Sequence, residues 1–472
     1  MPVPIITVGQ MRQWEQATWA SGQTEAAVIE RVGELVARRA LQQTRPAEAI
    51  LILAGKGHNG DDARQAQPDL EGRVVELINV TDPEASLAPV SAALGRRPRL
   101  VIDGLFGTGL NRPLDGPWRK LIQTVNEAAL PVLAVDNPSG LNVESGCAEG
   151  AALFATITLT LGAPKRGLFA PAALPYVGRL ELAPEIGLAP CPFQGDWVWT
   201  LPQDFTGFPP PRPADGHKGT FGHLAILAGS QGYHGAAVLA ARGAQRAQPG
   251  LITVFPQENA YLPVASQLQA VMVKPFEAGL SFENHSAILV GPGLAAPERP
   301  DALRNLVSGL WMNAEAPVIV DASALDWLPP LDPVPREALR VITPHPGEAA
   351  RLLKCRTADV QANRVEAVRE LSGRFGGCWV VLKGHQTLIG RASGNIFVNP
   401  SGNPHLAQGG SGDLLAGYLA GWLAQPPIER VAVTAIRYAV WQHGAAADAL
   451  TRQRGNWVVE ELVEGLGALP LT

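Results

Sequence analysis

The chain has 472 residues, of which 46% are hydrophobic and 17% charged, a composition typical of a well-buried globular protein and not of a disordered one. Its formal net charge of −5 leaves no broad basic surface, so we expect no nucleic-acid partner. We expect a soluble, cytoplasmic protein without membrane contact or disulfides, because a signal-peptide pattern, a run of ~18 apolar residues and paired cysteine spacing are all missing.

Short β-branched runs alternate with longer helical stretches along the chain, and this alternation is typical of parallel βαβ architecture. The length suggests about two domains. The segment 206–213 has four prolines, which cannot donate to a sheet and favour an extended linker. The sequence thus predicts a first domain over 1–205, a linker over 206–213 and a second domain over 214–472.

The predicted elements of the first domain begin with one helix over about 8–42. Strands follow at 50–54, 74–80, 99–103, 131–136 and 155–161. In the second domain, strands are expected at 223–228, 251–255, 287–290, 317–321, 340–343 and 379–383. Ligands of open parallel sheets bind at the carboxyl ends of the strands, so we expect each site among the loops that follow these strands.

The loop after the first strand, Gly55 to Asp62, reads GKGHNGDD. Its glycines permit positive φ angles and its backbone amides can face an anion, which predicts an anion-binding loop. A tight turn between a strand and a helix is the alternative interpretation of the same pattern.

Two further strands of the first domain end in an aspartate. Asp103 precedes the loop 104–113, which contains Arg112, and Asp136 precedes the polar turn 137–139. A carboxylate at the end of a buried strand is better placed for a ligand or an ion than for the core. Carboxylate, amide and hydroxyl oxygens are the ligands that hard cations prefer, so a bound ion is expected at this edge.

Lys165 lies in the loop that follows the strand at 155–161. This loop is delivered to the same sheet edge as the two aspartates. We interpret Lys165 as a group for phosphate binding or proton transfer, with a solvated loop charge as the alternative.

The strongest motif of the second domain is AQGGSGDLLAG at 407–417, where glycines directly precede an apolar helix. Free amides at such a helix start, together with the helix dipole, can hold the negative charge of a phosphoryl group. Asp413 falls in the first turn, where it can accept a proton from a substrate hydroxyl. Helix capping is the alternative role for a lone aspartate at this place.

Other polar or glycine-rich turns follow strands of the second domain. They contain Gly293, His345 and the segment 383–387, KGHQT. A lone histidine is more often structural, but beside proline, glycine and glutamate His345 is a reasonable substrate contact. The alanine-rich helix that contains Ala236 permits close approach of a ligand.

Residues 8–190 carry FGTGLNRPLDG, VDNPSGLN and GAPKRGL in this order, and they resemble the N-terminal epimerase domain of the bifunctional NAD(P)H-hydrate repair enzymes. Residues 214–468 resemble the ribokinase-like dehydratase domain of the same family. The resemblance implies an α/β fold with a Rossmann-like N-terminal domain and a ribokinase-like C-terminal domain, both with mainly parallel central sheets flanked by helices. It also implies a bifunctional enzyme.

For the first domain, the resemblance implies interconversion of the R and S hydrates and a bound K⁺. It places the ion ligands on Asn59, Asp103 and Ser139, and the catalytic groups on Asp136 and Lys165. Substrate contacts then fall on His58, Asn59, Gly60, Asp61, Asp62, Gly107, Thr108, Gly109, Leu110, Asn111, Arg112, Pro113 and Asp136. The family usually has glycine at position 61, so we expect the Asp61 carboxylate where a backbone would approach substrate phosphates.

For the second domain, the resemblance implies that a nucleotide phosphorylates the ring hydroxyl of the S hydrate and that loss of phosphate regenerates NAD(P)H. Asp413 is then the catalytic base, and the amides of 410–412 hold the transferred group. Nucleotide contacts fall on Lys383, Gly384, His385, Gln386, Thr387 and Gly412, and substrate contacts on Ala236, Gly293, His345 and Asp413. Mg²⁺ accompanies the nucleotide, and ADP, giving AMP and phosphate, is preferred over ATP.

One alternative is a small-molecule kinase of the hydroxymethylpyrimidine or hydroxyethylthiazole type, because the same fold and aspartate serve such kinases. The first domain would then be a silent binding or assembly module, which the aspartate at position 61 favours. For the repair enzyme, the expected partners are small molecules, namely NADHX, NADPHX and ADP or ATP. A homo-oligomer is expected.

Overall fold

The computed structural model describes residues 2–296, 301–332 and 338–468, and it divides into two compact units. The first unit contains residues 3–196, and the second begins at Trp197. Each unit has a mainly parallel sheet flanked by helices, which confirms the predicted α/β class. Within the described ranges, no helix is both long enough and apolar enough to cross a membrane.

The first unit has helices on both sides of one sheet. Its strands are β1 (Val3–Pro4), β2 (Ala49–Ala54), β3 (Val74–Asn79), β4 (Leu100–Gly104), β5 (Val132–Val135), β6 (Ile157–Leu161) and β7 (Arg179–Ala183). Its helices are α1 (Val8–Ala20), α2 (Glu25–Leu41), α3 (His58–Gln65), α4 (Pro83–Gly95), α5 (Gly116–Glu127) and α6 (Leu174–Val177). β1 is not part of this sheet, whose order is β3-β2-β4-β5-β6-β7, and every neighbouring pair is parallel.

Burial on both faces explains the unbroken apolar runs of these strands. On one face, Val32 and Val36 of α2 pack in a cluster with Ile52 of β2. On the other face, Val90 of α4 and Ile122 of α5 lie in a cluster with alternate residues of the same strands. Because helices cover both faces, the loops at the carboxyl ends of the strands are left to build the site.

The predicted single helix over 8–42 is wrong, because the structure has two helices there. The first helix, α1, ends at Ala20, and Gly22 follows with a φ of 94° in the left-handed region. Thr24 then caps α2 by accepting a hydrogen bond from the amide of Ala27. A glycine that leaves the helical region, followed by a capping threonine, ends one helix and starts the next.

The second unit has a longer sheet. Its strands are β8 (Trp197–Trp199), β9 (His223–Leu227), β10 (Leu251–Val254), β11 (Met272–Val273), β12 (Ala287–Val290), β13 (Val318–Val320), β14 (Arg340–Ile342), β15 (Trp379–Leu382), β16 (Leu388–Gly390) and β17 (Ile396–Val398). Their order is β8-β17-β16-β15-β14-β13-β12-β9-β10-β11. The pairs are parallel except that β16 runs antiparallel to both of its neighbours.

The helices of the second unit are α7 (His234–Ala247), α8 (Tyr261–Ala265), α9 (Asp301–Asn313), α10 (Pro346–Leu353), α11 (Thr357–Ala362), α12 (Arg364–Arg374), α13 (Ser411–Leu423), α14 (Ala432–Gln453) and α15 (Val459–Gly465). Glycines let α7 and α13 pack backbone against backbone. A Cβ at Gly417 would lie 1.9 Å from the carbonyl oxygen of Ala240, and one at Gly243 would lie 2.3 Å from that of Leu414. This close packing fixes the start of α13 beside the middle of α7.

The boundary between the units lies at 196/197 and not at the predicted segment 206–213. Trp197–Trp199 forms a strand that pairs with β17 of the second unit. Phe205 and Phe208 are buried in the core of that unit, where Phe208 packs against Tyr438 at a ring-centroid distance of 4.8 Å. The prolines therefore follow aromatic residues that are already anchored, which moves the boundary toward the N-terminus.

Candidate active sites

A cavity of about 1030 Å³ lies at the carboxyl ends of β2, β4 and β5. Many of the predicted substrate contacts line it, namely His58, Asn59, Asp62, Gly107, Thr108, Gly109, Leu110, Asn111, Arg112, Pro113 and Asp136. Its remaining wall includes Arg12, Glu15 and Trp19 of α1 and Glu25 of α2, which the sequence analysis did not select. These helices precede the first sheet strand and carry no glycine-rich motif, so no local signal marks them.

Asp136 and Lys165 form a buried ion pair beside this cavity. Lys165, whose side chain is 1% exposed, donates from Nζ to Asp136 Oδ1 at 2.5 Å and to the carbonyl of Leu161 at 2.9 Å. The amide of Leu161 donates to the same carboxylate oxygen at 3.0 Å. Asp136 has a φ of 63°, which is uncommon for a residue other than glycine. Because the Lys165 side chain is buried and paired with Asp136, it is not the solvated loop charge of the alternative interpretation.

The predicted ion ligands Asn59, Asp103 and Ser139 meet around the backbone of Phe106. Asn59 Nδ2 donates to the carbonyl of Phe106 at 3.1 Å, and the amide of Phe106 donates to Ser139 Oγ at 2.8 Å. Asp103 accepts from the hydroxyl of Ser139 at 2.6 Å and from its amide at 2.8 Å. Burial raises the pKa of Asp103 to about 6, although the hydrogen bonds from Ser139 oppose the increase.

The loop at 55–62 forms both a turn and the start of α3. Gly60 does not line the cavity, and a Cβ there would lie 2.1 Å from the carbonyl oxygen of Gly55, so glycine is needed for packing. Asp61 also lies outside the lining, because its Oδ1 accepts from Arg64 Nη2 at 2.7 Å. The expected position of the Asp61 carboxylate at the substrate is wrong. Its neighbour Asp62 is the carboxylate that reaches the cavity.

In the second unit, α13 starts at the predicted glycine turn. Gly410 has a φ of 92°, and a Cβ there would lie 2.3 Å from Leu239 Cδ1, so the turn requires glycine. The amides of Gly412 and Asp413 donate to no acceptor within the described ranges. Two donors at the start of a helix are thus available to an anion.

Asp413 belongs to a cluster of charges around Lys383. Lys383 Nζ donates to Asp321 Oδ1 at 2.8 Å and lies 3.9 Å from Glu348 Oε2. Burial and the charge of Asp321 raise the pKa of Asp413 to about 7, whereas Lys383 opposes the increase. The cap position of α13 is Gly410, so capping is not the role of Asp413.

Arg364, the first residue of α12, holds the backbone of the predicted nucleotide loop at 383–387. Arg364 donates to the carbonyl of His385 and, at 3.3 Å, to that of Leu382. Thr387 Oγ1 donates to the carbonyl of Gly384 at 3.1 Å. Lys383 adjoins Gly412, because a Cβ on that glycine would lie 3.3 Å from the lysine Nζ. These contacts connect the loop to the start of α13.

Three of the predicted hydrate contacts have packing roles. His345 caps α10, since its Nδ1 accepts from the amides of Gly347 at 3.0 Å and Glu348 at 3.3 Å. Gly293 adjoins Ala236, because a Cβ on the glycine would lie 3.0 Å from the alanine Cβ. Their contact with substrate stays a prediction.

The sequence analysis missed Asp321, Glu348 and Asp448. Asp321 directly follows β13, which is the same pattern that selected Asp103 and Asp136, so it could have been found. Glu348 lies in the turn that contains His345. Asp448 of α14 accepts from the amide of Gly402 at 3.1 Å and holds the loop before α13, but no local pattern in α14 signals this contact.

Comparisons with known proteins identify the family. The family model described as NAD(P)H-hydrate dehydratase matches residues 224–465, and that described as YjeF-related protein N-terminus matches residues 69–167. The chain is 35% identical to the bifunctional NAD(P)H-hydrate repair enzyme Nnr of Gloeobacter violaceus, over 99% of this chain and 97% of the relative. The enzyme of the same name from Coxiella burnetii is 33% identical over 95% of each chain. The chain belongs to the family of bifunctional NAD(P)H-hydrate repair enzymes.

Solved structures support the fold of the second unit of this repair enzyme. The ADP/ATP-dependent NAD(P)H-hydrate dehydratase from Bacillus subtilis, co-crystallised with ATP and Mg²⁺, is 32% identical with a TM-score of 0.51 over 57% of this chain and 95% of that chain. A ribokinase-like superfamily protein from Enterococcus faecalis is 26% identical with a TM-score of 0.50, over 58% and 96% of the two chains. The predicted family and the ribokinase-like fold are confirmed.

Proposed function

We propose that this enzyme restores hydrated NAD(P)H by two activities. The first unit epimerises the R and S hydrates, and the second dehydrates the S hydrate with a nucleotide. The observation that carries the proposal is the position of Asp413, which lies beside two free amides and the Lys383 ammonium. Phosphoryl transfer to a hydroxyl needs such a carboxylate next to an anion site. Relatives that align over nearly the whole chain bear the name of bifunctional repair enzymes.

In the second unit, Asp413 takes the proton of the ring hydroxyl while the hydroxyl oxygen attacks phosphorus. The amides of Gly412 and Asp413 hold the negative charge on the transferred group, and Lys383 adds a positive charge beside them. The resulting phosphate ester leaves far more easily than hydroxide. Loss of phosphate together with a proton from the neighbouring ring carbon then restores the reduced ring.

The proposed nucleotide is ADP, which gives AMP and phosphate, and it lies along Lys383, Gly384, His385, Gln386, Thr387 and Gly412. The hydrate lies on the side of Ala236, Gly293 and His345. Arg364 supports this arrangement because it holds the backbone of the nucleotide loop in place. The Bacillus subtilis dehydratase was co-crystallised with ATP and Mg²⁺, which supports a nucleotide at this fold.

Mg²⁺ fits the second unit as a companion of the nucleotide. Among the described residues, no group of three or more side chains of the metal-binding type forms a site by itself. Mg²⁺ commonly binds through one or two carboxylates plus substrate phosphates, so a complete protein cage is not needed. Asp321 and Glu348 are the carboxylates that would hold it, and the bound ion neutralises charge on the phosphates.

In the first unit, we propose that the hydrate occupies the cavity of about 1030 Å³. Its phosphates would lie at the start of α3, near His58 and Asn59, and along 107–113. Its ring would lie at Asp136, whose Oδ1 is occupied by Lys165. Oδ2 accepts no hydrogen bond from the residues that the structure describes, which leaves it available to a hydroxyl or water.

K⁺ is the proposed ion of the first unit. Asp103 is fully buried and accepts hydrogen bonds from Ser139 and Leu105, without a paired cation within the described ranges. Nearby, Oδ1 of Asn137 is buried and has no partner in the described part of the chain. This set of oxygens suits a hard cation, and Asn59, Asp103 and Ser139 would hold it. A bound K⁺ would supply the positive charge that balances the buried Asp103 carboxylate.

The proposed setting is the cytoplasm. All four cysteines are free, which supports a reducing compartment. The homo-oligomer stays a prediction, and size-exclusion chromatography with light scattering would test it.

Purified R and S hydrates of NADH test the proposed function directly. With ADP and Mg²⁺ we expect the S hydrate to regain the absorbance of NADH at once, and the R hydrate to follow through epimerisation. A stable phosphorylated product without NADH would identify a small-molecule kinase instead. Conversion of the R hydrate only at its spontaneous rate would identify the first unit as a silent module.

A further inference from the structure

Asp62 is a cavity-lining carboxyl with no partner. It is 8% exposed and lines the cavity of the first unit, and none of the described residues donates a hydrogen bond or forms an ion pair with it. Its neighbour Asp61 is bound to Arg64 and lies outside the lining. Of these two adjacent aspartates of α3, only Asp62 lines the cavity, and within the described residues no cation is paired with it.

The surroundings of Asp62 favour its protonated form. Burial, followed by the charges of Asp136, Asp61, Glu15 and Glu25, raises the pKa of Asp62 to about 8. Lys165 does not serve Asp62, because its ammonium is bonded to Asp136, and the ring of His58 lies against Glu25. The other charged side chains that line the cavity are Arg12, Lys56, Arg112 and Asp115. The raised pKa favours the carboxylic acid form of Asp62 at neutral pH, in the same cavity as the ion-paired Asp136.

We propose that Asp62 is the general acid of the epimerisation, an inference that rests on the proposed function of the first unit. Asp62 gives its proton to the hydroxyl on the hydrated ring carbon, and the C–O bond breaks with its electron pair leaving on water. The lone pair of the adjacent ring nitrogen stabilises the planar cation that remains. Water then adds to the opposite face, a new C–O bond forms, and its extra proton returns to Asp62.

Two substitutions in the full-length enzyme test this role. Asp62→Asn keeps the shape but cannot donate an acidic proton, so we expect the rate of R/S interconversion above background to fall ~100-fold or more. Asp61→Asn is the matched control on the same helix and should stay within about threefold of wild type. Dehydration of the S hydrate belongs to the second unit and should be unchanged in each variant, and urea unfolding reports whether the first unit is folded.

The pH profile of the wild-type enzyme tests the same role without a substitution. Because the acid form of Asp62 is the active one, the rate of R/S interconversion above the spontaneous background should fall as pH increases through about 8. A rate that stays level from there upward, a wild-type rate in Asp62→Asn, or an equal loss in Asp61→Asn would overturn the role of Asp62 alone. No interconversion above background in the wild type would overturn the proposed epimerase activity as well.

Discussion

The two units hold their central aspartates in opposite ways. In the first unit, Asp136 has a lysine of its own, since Lys165 is buried and donates to it at 2.5 Å. In the second unit, Lys383 interacts with three carboxylates, and it is bonded to one of them at 2.8 Å. The three are Asp321, which is the bonded one, Glu348 and Asp413. The pKa of Asp413 is raised to about 7, first by burial and then by Asp321, and Lys383 only partly opposes this.

This difference teaches which group can exchange a proton in each unit. A carboxylate in a dedicated ion pair is suited to orient a substrate and to stabilise positive charge. A carboxyl group whose pKa lies near neutral pH can both give and take a proton during turnover. Asp413 meets this condition in the second unit, and Asp62 meets it in the first.

The largest expected effect comes from Asp413→Ala. We expect dehydration to fall by about 10²–10⁴-fold because the proton acceptor is lost. R/S interconversion should change less than about twofold, since Asp413 belongs to the other unit. Rates of both reactions on one preparation check this, with Asp359→Ala on exposed α11 as the control. Loss of both activities in a folded chain would contradict separate sites.

The next effect concerns stability of the first unit. Lys165→Ala leaves Asp136 buried without its cation, and breaking a buried pair costs about 3–5 kcal/mol in the free energy of unfolding. Arg166→Ala is the adjacent control, because its pair with Asp196 is 44% and 56% exposed and should cost at most about 1 kcal/mol. Urea unfolding followed together with epimerase activity measures both. Equal stability of the two variants would show that the ion pair does not stabilise the fold.

A smaller effect is expected in the pH dependence of dehydration. The proton acceptor must be ionised, so the rate at saturating nucleotide should fall about tenfold per pH unit below the Asp413 pKa of about 7. Lys383→Met removes the charge that lowers this pKa, so the midpoint should move to higher pH. Lys354→Met, on the exposed end of α10, should leave it in place. An unchanged midpoint in Lys383→Met would show that the charge of Lys383 does not affect the pKa of Asp413.

Much of the fold could be predicted because strands of parallel sheets are apolar runs that end at glycine, proline or charged residues. Strand β2, predicted at 50–54, is Ala49–Ala54, and β12 is found at 287–290 as expected. Strands β16 and β17 were missed because they follow β15 through short turns with antiparallel pairing, outside the βαβ alternation on which the prediction rested. The break between α1 and α2 was missed because the apolar pattern continues on both sides of Gly22.

The site residues could be predicted only where they directly follow the end of a strand. Asp103, Asp136 and Lys383 were selected in this way, and the structure surrounds each with partners distant in sequence. Lys383 binds Asp321, which is 62 residues away, and Glu25 of α2 reaches His58. The first pair depends on the order of β13 and β15 in the sheet and the second on how α2 packs beside α3, and no local pattern encodes either. The wrong direction of the Asp61 side chain has another cause, because its partner Arg64 is only three residues away in the same helix.

The smallest effect, from Asp61→Gly, sharpens the comparison within the first unit. This change restores the residue usual in the family, yet Asp61 lies outside the cavity and is bound to Arg64. We expect epimerase kcat/KM to stay within about threefold, because no substrate contact changes. Glycine in the first turns of α3 and loss of an exposed ion pair should each cost at most about 1 kcal/mol in stability. A large gain in epimerase rate would mean that the Asp61 carboxylate obstructs the substrate after all.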